Sequence, residues 1–579
     1  MRLFIVLIAL CVAVQGQEPS SAPKSTDESA RGTISGRVVN ENGQPVAGAT
    51  TAVRRTHSVF SGRTTATDAE GNFSVTNLER GLYSVTVSAP AHISIPPDPN
   101  DPSTYYRIGD SVNLRLVRGG VITGTVTNAQ GEPVIAVNVR VTMVRDSNGK
   151  APAMPFLGLM QQPTDDRGIY RIFGLLPGTY LVSAGGVGLM QTFGFNPYDF
   201  DVPTYAPSST RDTAAEVTVT SGEETNVDIR YRGEPGYIIS GTVKVAASTN
   251  GATVSLTPVA GNLMSSGNAY QPPGGGGRGF AFHGVADGEY DLVAQEFSQA
   301  QIGTTTIPGF MLSEPKRITI KGASVTGIEI TTKPLGSVSG QIVLESSKAP
   351  ECQGKRPPLL AETLIQLRRP EKDTEKDKMP YLRVFASTGS PDAKGAFVLK
   401  NLYAGKYQFE PKFYARYWYF QSITIGAAPP ATATKSQPAS SKTDAAANWT
   451  IVKFGEKVAN LTITLAEGAA AVRGKLEGEP APGMVLHLVP SEQDKAADVL
   501  RFFVTEVGAD GTFALNNLPP GRYWAVTQTN ADAQTATLTK LREPEAATAR
   551  TKLRKTAEAR KTEIELKPCQ NITDYQLKQ

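Results

Sequence analysis

The sequence predicts an all-β chain of tandem antiparallel two-sheet sandwiches followed by a short C-terminal helix, and three observations carry that prediction. First, 55 glycines and 40 prolines in 579 residues supply many turns between short elements. Second, short runs such as Val112–Leu116, Val227–Tyr231, Ile328–Thr332 and Leu461–Leu465 alternate apolar with polar residues. Leu461, Ile463 and Leu465 thereby fall on one face of a strand, because successive side chains point to opposite sides. Third, one string recurs along the chain.

That string is TDAEGNFSVTNLERGLYSVTV, residues Thr67 to Val87. Its skeleton of glycine, aromatic, glycine and tyrosine returns at Gly168, Tyr170, Gly178 and Tyr180, and at Gly279, Phe280 or Phe282, Gly288 and Tyr290. It returns again at Gly395, Phe397, Gly405 and Tyr407, and at Gly511, Phe513, Gly521 and Tyr523. The third copy reads as one residue shorter than the others. A second marker precedes each copy, SGRVV from Ser35, TGTVT from Thr123, SGTVKV from Ser240, SGQIVL from Ser339 and RGKLE from Arg473. Units of this length, each with several short strands and regular turn signals, are the signature of serial sandwiches. The aromatic of each copy is expected in the core. The tyrosine is expected to open a strand after a corner, with its hydroxyl reaching back to the backbone.

The first copy, ISGRVVNENGQPVAGATTAV followed by TDAEGNFSVTNLERGLYSVTVSA, resembles the carboxypeptidase regulatory-like domain, a prealbumin-like (transthyretin-like) sandwich of carbohydrate-binding-like fold. The second copy matches well, and the others match mainly in the half that holds the glycines, aromatic and tyrosine. The resemblance implies non-catalytic domains like those repeated in large exported proteins of soil bacteria. It assigns no ligand.

These features divide the chain into a signal peptide at 1–17, a Ser/Pro-rich linker at 18–32, and sandwich repeats at 33–118, 119–233, 234–333, 334–466 and 467–579. The fourth carries a low-complexity excursion at 427–447 and the fifth includes the C-terminal helix. Arg2 ahead of the apolar run Leu3 to Val14, then small and polar residues, is the pattern of a secretory signal. Leu10 stands where a lipoprotein signal wants a small residue before Cys11. The run is too short to span a bilayer, and no later segment is long and apolar enough. The expected location is exported, whether periplasmic, cell-surface or secreted.

Chemistry is scarce. A net charge of +4, from 58 basic and 54 acidic residues, is too small and too dispersed to bind nucleic acid through its phosphates. The histidines are His57, His92, His283 and His487. None stands in an HxxE or HExxH spacing, so no zinc peptidase site, no other metal site and no cofactor is expected. No serine sits in a GxSxG elbow. The glycines from Gly274 to Gly279 follow two prolines and lead into a strand, which leaves a flexible loop and no phosphate cradle. Asp68 with Glu70, and Asp165 with Asp166, occupy turns, where acids cap backbone amides.

Four features remain. KFYARYWYF, Lys412 to Phe420, reads as one strand with Tyr414, Trp418 and Phe420 on one face and Phe413, Tyr417 and Tyr419 on the other. One aromatic face fills the core, and the other awaits a neighbouring repeat or a ligand such as a sugar ring. The aromatic stretch from Phe193 to Tyr205 reads as loop packing. After removal of the signal, Cys352 and Cys569 remain; they either pair, clamping the C-terminus onto the fourth repeat, or stay separate buried thiols. Glu543 to Glu563 reads as a helix with a thin stripe of Ala549, Leu553 and Ala557 and basic residues elsewhere, including Arg550, Lys552, Arg554 and Lys555. The function expected is a non-enzymatic structural or binding protein outside the cytoplasm, its partner a glycan or another extracytoplasmic protein. The alternatives are carbohydrate binding through the aromatics of the fourth repeat, and service as an accessory chain of an extracytoplasmic peptidase.

Overall fold

The structure, a computed structural model, describes residues 31–56, 62–95, 104–150, 152, 159–186, 196–244, 251–259, 265–269, 278–302, 305–370, 389–426, 442–529 and 537–578. The expected signal peptide, most of the linker, His57, Gly274–Gly277, Phe193 to Phe195 and residues 427–441 lie outside them.

In the first unit the strand Gly32–Val39 is flanked by Asn72–Leu78, antiparallel, and by Ser111–Arg118, parallel. The facing sheet holds Thr50–Arg55 between Gly62–Ala66 and Tyr83–Ser88. Ile34, Val38, Val53, Phe73, Val75, Tyr83, Leu114 and Leu116 pack between the two layers. The plan recurs around the strands Gly120–Thr127, Tyr237–Lys244, Gly336–Glu345 and Ala470–Leu476, each with a separate core. Each of these strands also pairs in parallel with a later strand of its unit, at Glu224–Asn226 and Ile229–Arg230, Val325–Thr331, Lys457–Glu467, and Asn571–Leu577. The chain is thus a series of antiparallel sandwiches with a parallel pair built into each, a feature that alternation cannot reveal.

The register explains both markers. Gly36, Gly124, Gly241, Gly340 and Gly474 lie opposite Phe73, Tyr170, Phe280, Phe397 and Phe513. At each of these glycines a Cβ would collide with a carbonyl oxygen of the parallel partner, that of Val112, Val227, Ile328, Leu461 or Tyr575. The missing side chain lets the strand approach, and the aromatic ring opposite covers the gap, as aromatic rings do over strand glycines. The register also makes Phe280, and not Phe282, the third aromatic. It stands ten residues before Tyr290, as Phe73 stands before Tyr83. The third copy is therefore full length, with Arg278 in place of the first glycine.

A bulge follows the aromatic in every unit, centred on a residue of left-handed backbone: Asn77, Gly174, Gly284, Asn401 or Asn517, with φ between 56 and 76°. Glycine and asparagine are the residues that take this conformation most readily. Beyond it, the hydroxyls of Tyr83, Tyr180, Tyr290, Tyr407 and Tyr523 each donate to the carbonyl oxygen four residues earlier, at 2.7–2.9 Å. Burial pushes the Tyr290 hydroxyl up to about 12 and raises the other four as well, so each remains a neutral donor. The turn acids act as expected of caps: Asp68 Oδ1 accepts from the Asn72 and Glu70 amides, at 2.7 and 3.1 Å. Asp165 and Asp392 repeat the arrangement.

The C-terminal helix is Ala547–Arg560 and buries Arg550, Leu553 and Ala557. Arg550 belongs to the buried face and not to the solvated one. Its Nη1 donates to the carbonyls of Leu541 and Glu543 at 2.8 and 2.7 Å. Arg554 is likewise engaged, donating to the carbonyls of Pro490 and Ser491 and lying over the Trp524 ring. The two arginines dock the helix with hydrogen bonds that a purely apolar stripe lacks.

Candidate functional site

The aromatic run of the fourth unit is two strands and not one. Gly405–Lys412 ends in one layer and Trp418–Ile425 begins in the other, pairing with Lys457–Glu467. Residues 413–417 cross between the layers, so strict alternation does not run through them and the expected two aromatic faces do not form. Trp418 is 2% exposed in the core of its unit, and Phe420 packs partly buried against the same core. The indole of Trp418 has no open face for a sugar ring. Tyr414 remains outside the core at 37% exposure. The guanidinium of Arg107, from the first unit, lies 4.3 Å from its ring centroid, and its hydroxyl donates to the Tyr105 carbonyl at 3.4 Å. The segment that looked like a ligand platform is thus in contact with another unit.

Its backbone serves the fifth unit too. The Tyr417 carbonyl accepts from the Gly468 and Ala469 amides at 2.8 and 2.9 Å. Asn517 Nδ2 donates to the carbonyls of Ala415 and Trp418. Around this junction Arg368 pairs with Glu543 at 3.1 Å, and Trp449 Nε1 donates to Glu545 at 2.9 Å. Cys352 and Cys569 are joined by a disulfide across 217 residues, both of them buried.

The aromatic stretch before Tyr205 packs at the junction of the second and third units. Phe200 lies 4.8 Å from the His283 ring, and Tyr198 meets Tyr231 edge-on at 5.5 Å. The bulge glycine Gly284 sits beneath the carbonyls of Asp199 and Asp201, where a Cβ would fall 2.6 Å from the first. Beside this junction is a cavity of about 530 Å³ whose wall includes Arg140, Tyr205 and Tyr290. Arg140 escaped the sequence reading because it occupies a polar position of an ordinary alternating strand, Asn138–Asp146. The residues that meet it, Gly185 and Gly186 among them, come from a later stretch of the same unit.

Among the described residues no three histidine, cysteine, aspartate or glutamate side chains converge to hold a metal. His92, His283 and His487 are dispersed: His92 Nδ1 lies 2.8 Å from the Pro90 carbonyl, His283 packs on Phe200, and His487 is fully buried in the fifth unit. No helix among the described residues is long and apolar enough to cross a membrane.

Residues 33–95 match the carboxypeptidase regulatory-like domain family. No curated protein matches the chain. Among solved structures, the Bacillus anthracis TIE protein is 14% identical, with a TM-score of 0.14, over 52% of this chain and 51% of that one. This chain therefore spans about half the length of that protein. GBS52, the minor pilin of Streptococcus agalactiae, is 13% identical over 37% of this chain and 99% of its own, with a TM-score of 0.19. The shaft pilin SpaA of Lactobacillus rhamnosus GG is 9% identical over 35% and 98%, with a TM-score of 0.16. The first unit of this chain is thus similar to a carboxypeptidase regulatory-like domain, and the later units repeat its glycine-to-aromatic register and its tyrosine corner.

Proposed function

We propose that the chain is an exported, non-catalytic protein of five sandwich repeats, spanning 33–118, 119–233, 234–333, 334–466 and 467–579, that acts as a structural or binding component outside the cytoplasm. The observation that carries this reading is how the recurring residues are spent. In every unit the marker glycine lies beneath a neighbouring strand, the aromatic covers it, and the tyrosine hydroxyl is committed to its own corner. None of these groups is left to react. The remaining polar side chains of note, Asn517, Arg368, Trp449 and Arg107, hold one unit to another.

Export is supported by the basic residue and apolar run at the start of the sequence and by a disulfide, a bond that lasts in oxidising compartments. Fractionation of the native host with N-terminal sequencing of the purified chain tests it. The expected chain is extracytoplasmic and begins near residue 18; a cytoplasmic chain that retains Met1 overturns export. Crosslinking in the intact host is expected to capture an extracytoplasmic protein or glycan. Hydrolysis of peptide or glycoside substrates by the purified chain, abolished by substitution of one of its own residues, overturns the non-catalytic reading.

A further inference from the structure

The strand Asn138–Asp146 sends Val139, Val141 and Met143 into the core of the second unit and turns Arg140 to its other face. There Arg140 is 2% exposed. Its Nη2 donates to the Gly185 carbonyl, while its Nε finds no acceptor and the guanidinium makes no ion pair among the described residues. Gln161, opposite it in the strand register, has an Oε1 without a donor, so that pair is not bonded either. Asp199 is close enough to feel the charge, but its carboxylate accepts from the Asn196 amide.

An arginine does not escape such a position by losing its proton, and a buried charge without a counter-ion is costly. Arg140 lines the cavity of about 530 Å³ between the second and third units. That volume suits small-molecule sites, which commonly lie between domains. Tyr205, Tyr237 and Tyr290 contribute to the wall, and the Tyr205 hydroxyl has no protein partner among the described residues. Arg211 is a second cation of the wall, and it too makes no ion pair among the described residues.

We propose that this cavity binds a small organic carboxylate, with the carboxylate on Arg140 and the body of the molecule against the tyrosine rings. A guanidinium offers parallel N–H groups that match a carboxylate, and Tyr205 supplies a further donor. The wall also carries Asp212, next to Arg211 in sequence, and Glu234, Asp287 and Glu289, the last three held by Arg232, the Gly322 amide and Arg317. These negative charges disfavour a multiply charged phosphate and leave room for a single carboxylate on a ring-sized body. The site goes beyond the structural role proposed above and stands whether or not the junctions have other partners.

Isothermal titration and thermal shift of the full mature chain test the proposal with benzoate, glucuronate and inorganic phosphate as probes. Benzoate or glucuronate is expected to bind one to one, with a Kd on the order of 1 mM or tighter, and phosphate to bind at least tenfold more weakly. Binding of benzoate alone identifies an aromatic acid and binding of glucuronate alone a sugar acid. Arg140→Met is expected to weaken binding at least tenfold, and Tyr205→Phe to weaken it severalfold at an unchanged unfolding temperature. If Arg140→Met fails to fold, Arg140→Lys, which keeps the charge but loses the paired donors, takes its place with the same expected loss. Absence of binding by both carboxylates, phosphate binding of equal strength, or unaltered binding by the folded arginine variant overturns the proposal.

Discussion

Asn517 Nδ2 donates to the carbonyl oxygens of Trp418 and Ala415, each at 2.7 Å, from a backbone held at φ 56°. A single residue thereby forms the bulge of the fifth unit and grips the fourth. The left-handed backbone selects a short list of residues, and the two carbonyls select asparagine from that list. Gly284 fills the equivalent position in the third unit, where the carbonyls of Asp199 and Asp201 approach so closely that no side chain fits. The bulge serves as a joint between units, and its residue reports what it meets.

Asn517 separates these two roles experimentally. Asn517→Gly keeps the backbone conformation and loses the hydrogen bonds, at an expected cost of about 1–3 kcal/mol. Asn517→Ala adds the strain of a left-handed Cβ, about 1 kcal/mol more. Denaturant unfolding monitored by tryptophan fluorescence checks the order; an alanine variant as stable as the glycine variant refutes the conformational part.

The marker glycines are the next test. A Cβ at Gly340 would fall inside contact distance of the Leu461 carbonyl and 2.8 Å from Phe397 Cζ, whereas at Gly426 the nearest atom among the described residues is 3.8 Å away. Gly340→Ala is expected to cost more than about 3 kcal/mol, because parallel strands must part or the aromatic must leave its place. Gly426→Ala is expected to lie within about 0.5 kcal/mol of the parent. Equal melting temperatures for the two variants would show that the strands yield.

How much of this was legible in the sequence follows from what is local. The tyrosine corner and the acid caps depend on residues four apart; the corner's spacing shows in every copy, and the cap's in the first, second and fourth. The parallel pairing of Gly32–Val39 with Ser111–Arg118 depends on strands far apart in sequence, and nothing in either string announces it. The Trp418 region misled for the same reason. Aromatic residues favour strands, so a crossing between layers, residues 413–417, looked like part of one. Arg140 was invisible because the residues that meet it, Gly185 and Gly186, stand 45 residues or more further along the chain.

Trp418 and Tyr414 therefore divide a stability effect from an interface effect. Trp418→Ala empties a core position at 2% exposure and is expected to cost about 3–5 kcal/mol. Tyr414→Ala removes a ring under Arg107 and one long hydrogen bond, an expected loss of about 1 kcal/mol or less. Calorimetry of both variants checks the contrast, and a Tyr414 variant as unstable as the Trp418 variant contradicts it.

The disulfide closes a loop of 217 residues, and in the chain-entropy account such closure stabilises by an upper value of about 5 kcal/mol. Cys352→Ala with Cys569→Ala is expected to lower the melting temperature of the C-terminal units and leave the first three unchanged. Thiol labelling of the native, unreduced mature chain is expected to find no free cysteine. Two labelled thiols would remove the clamp.

His487 makes acid a probe of the fifth unit. It is fully buried on the strand Met484–Pro490, and neither ring nitrogen has a partner among the described residues. Desolvation lowers its pKa from 6.5 to about 4. Between those values the unfolded chain holds a proton that the folded chain does not, so the contribution is fully present above pH 6.5 and lost as the pH falls toward 4. The shift corresponds to about 3 kcal/mol across that window. Carboxyl groups in any chain ordinarily change charge near this range, so the informative quantity is the difference between the parent and His487→Leu, measured by urea unfolding at pH 7.5 and pH 4.5. The leucine variant is expected to lose less stability than the parent on acidification, by about 2–3 kcal/mol. Equal losses would mean that His487 gains a partner or water in the folded chain, and that its burial is not dry.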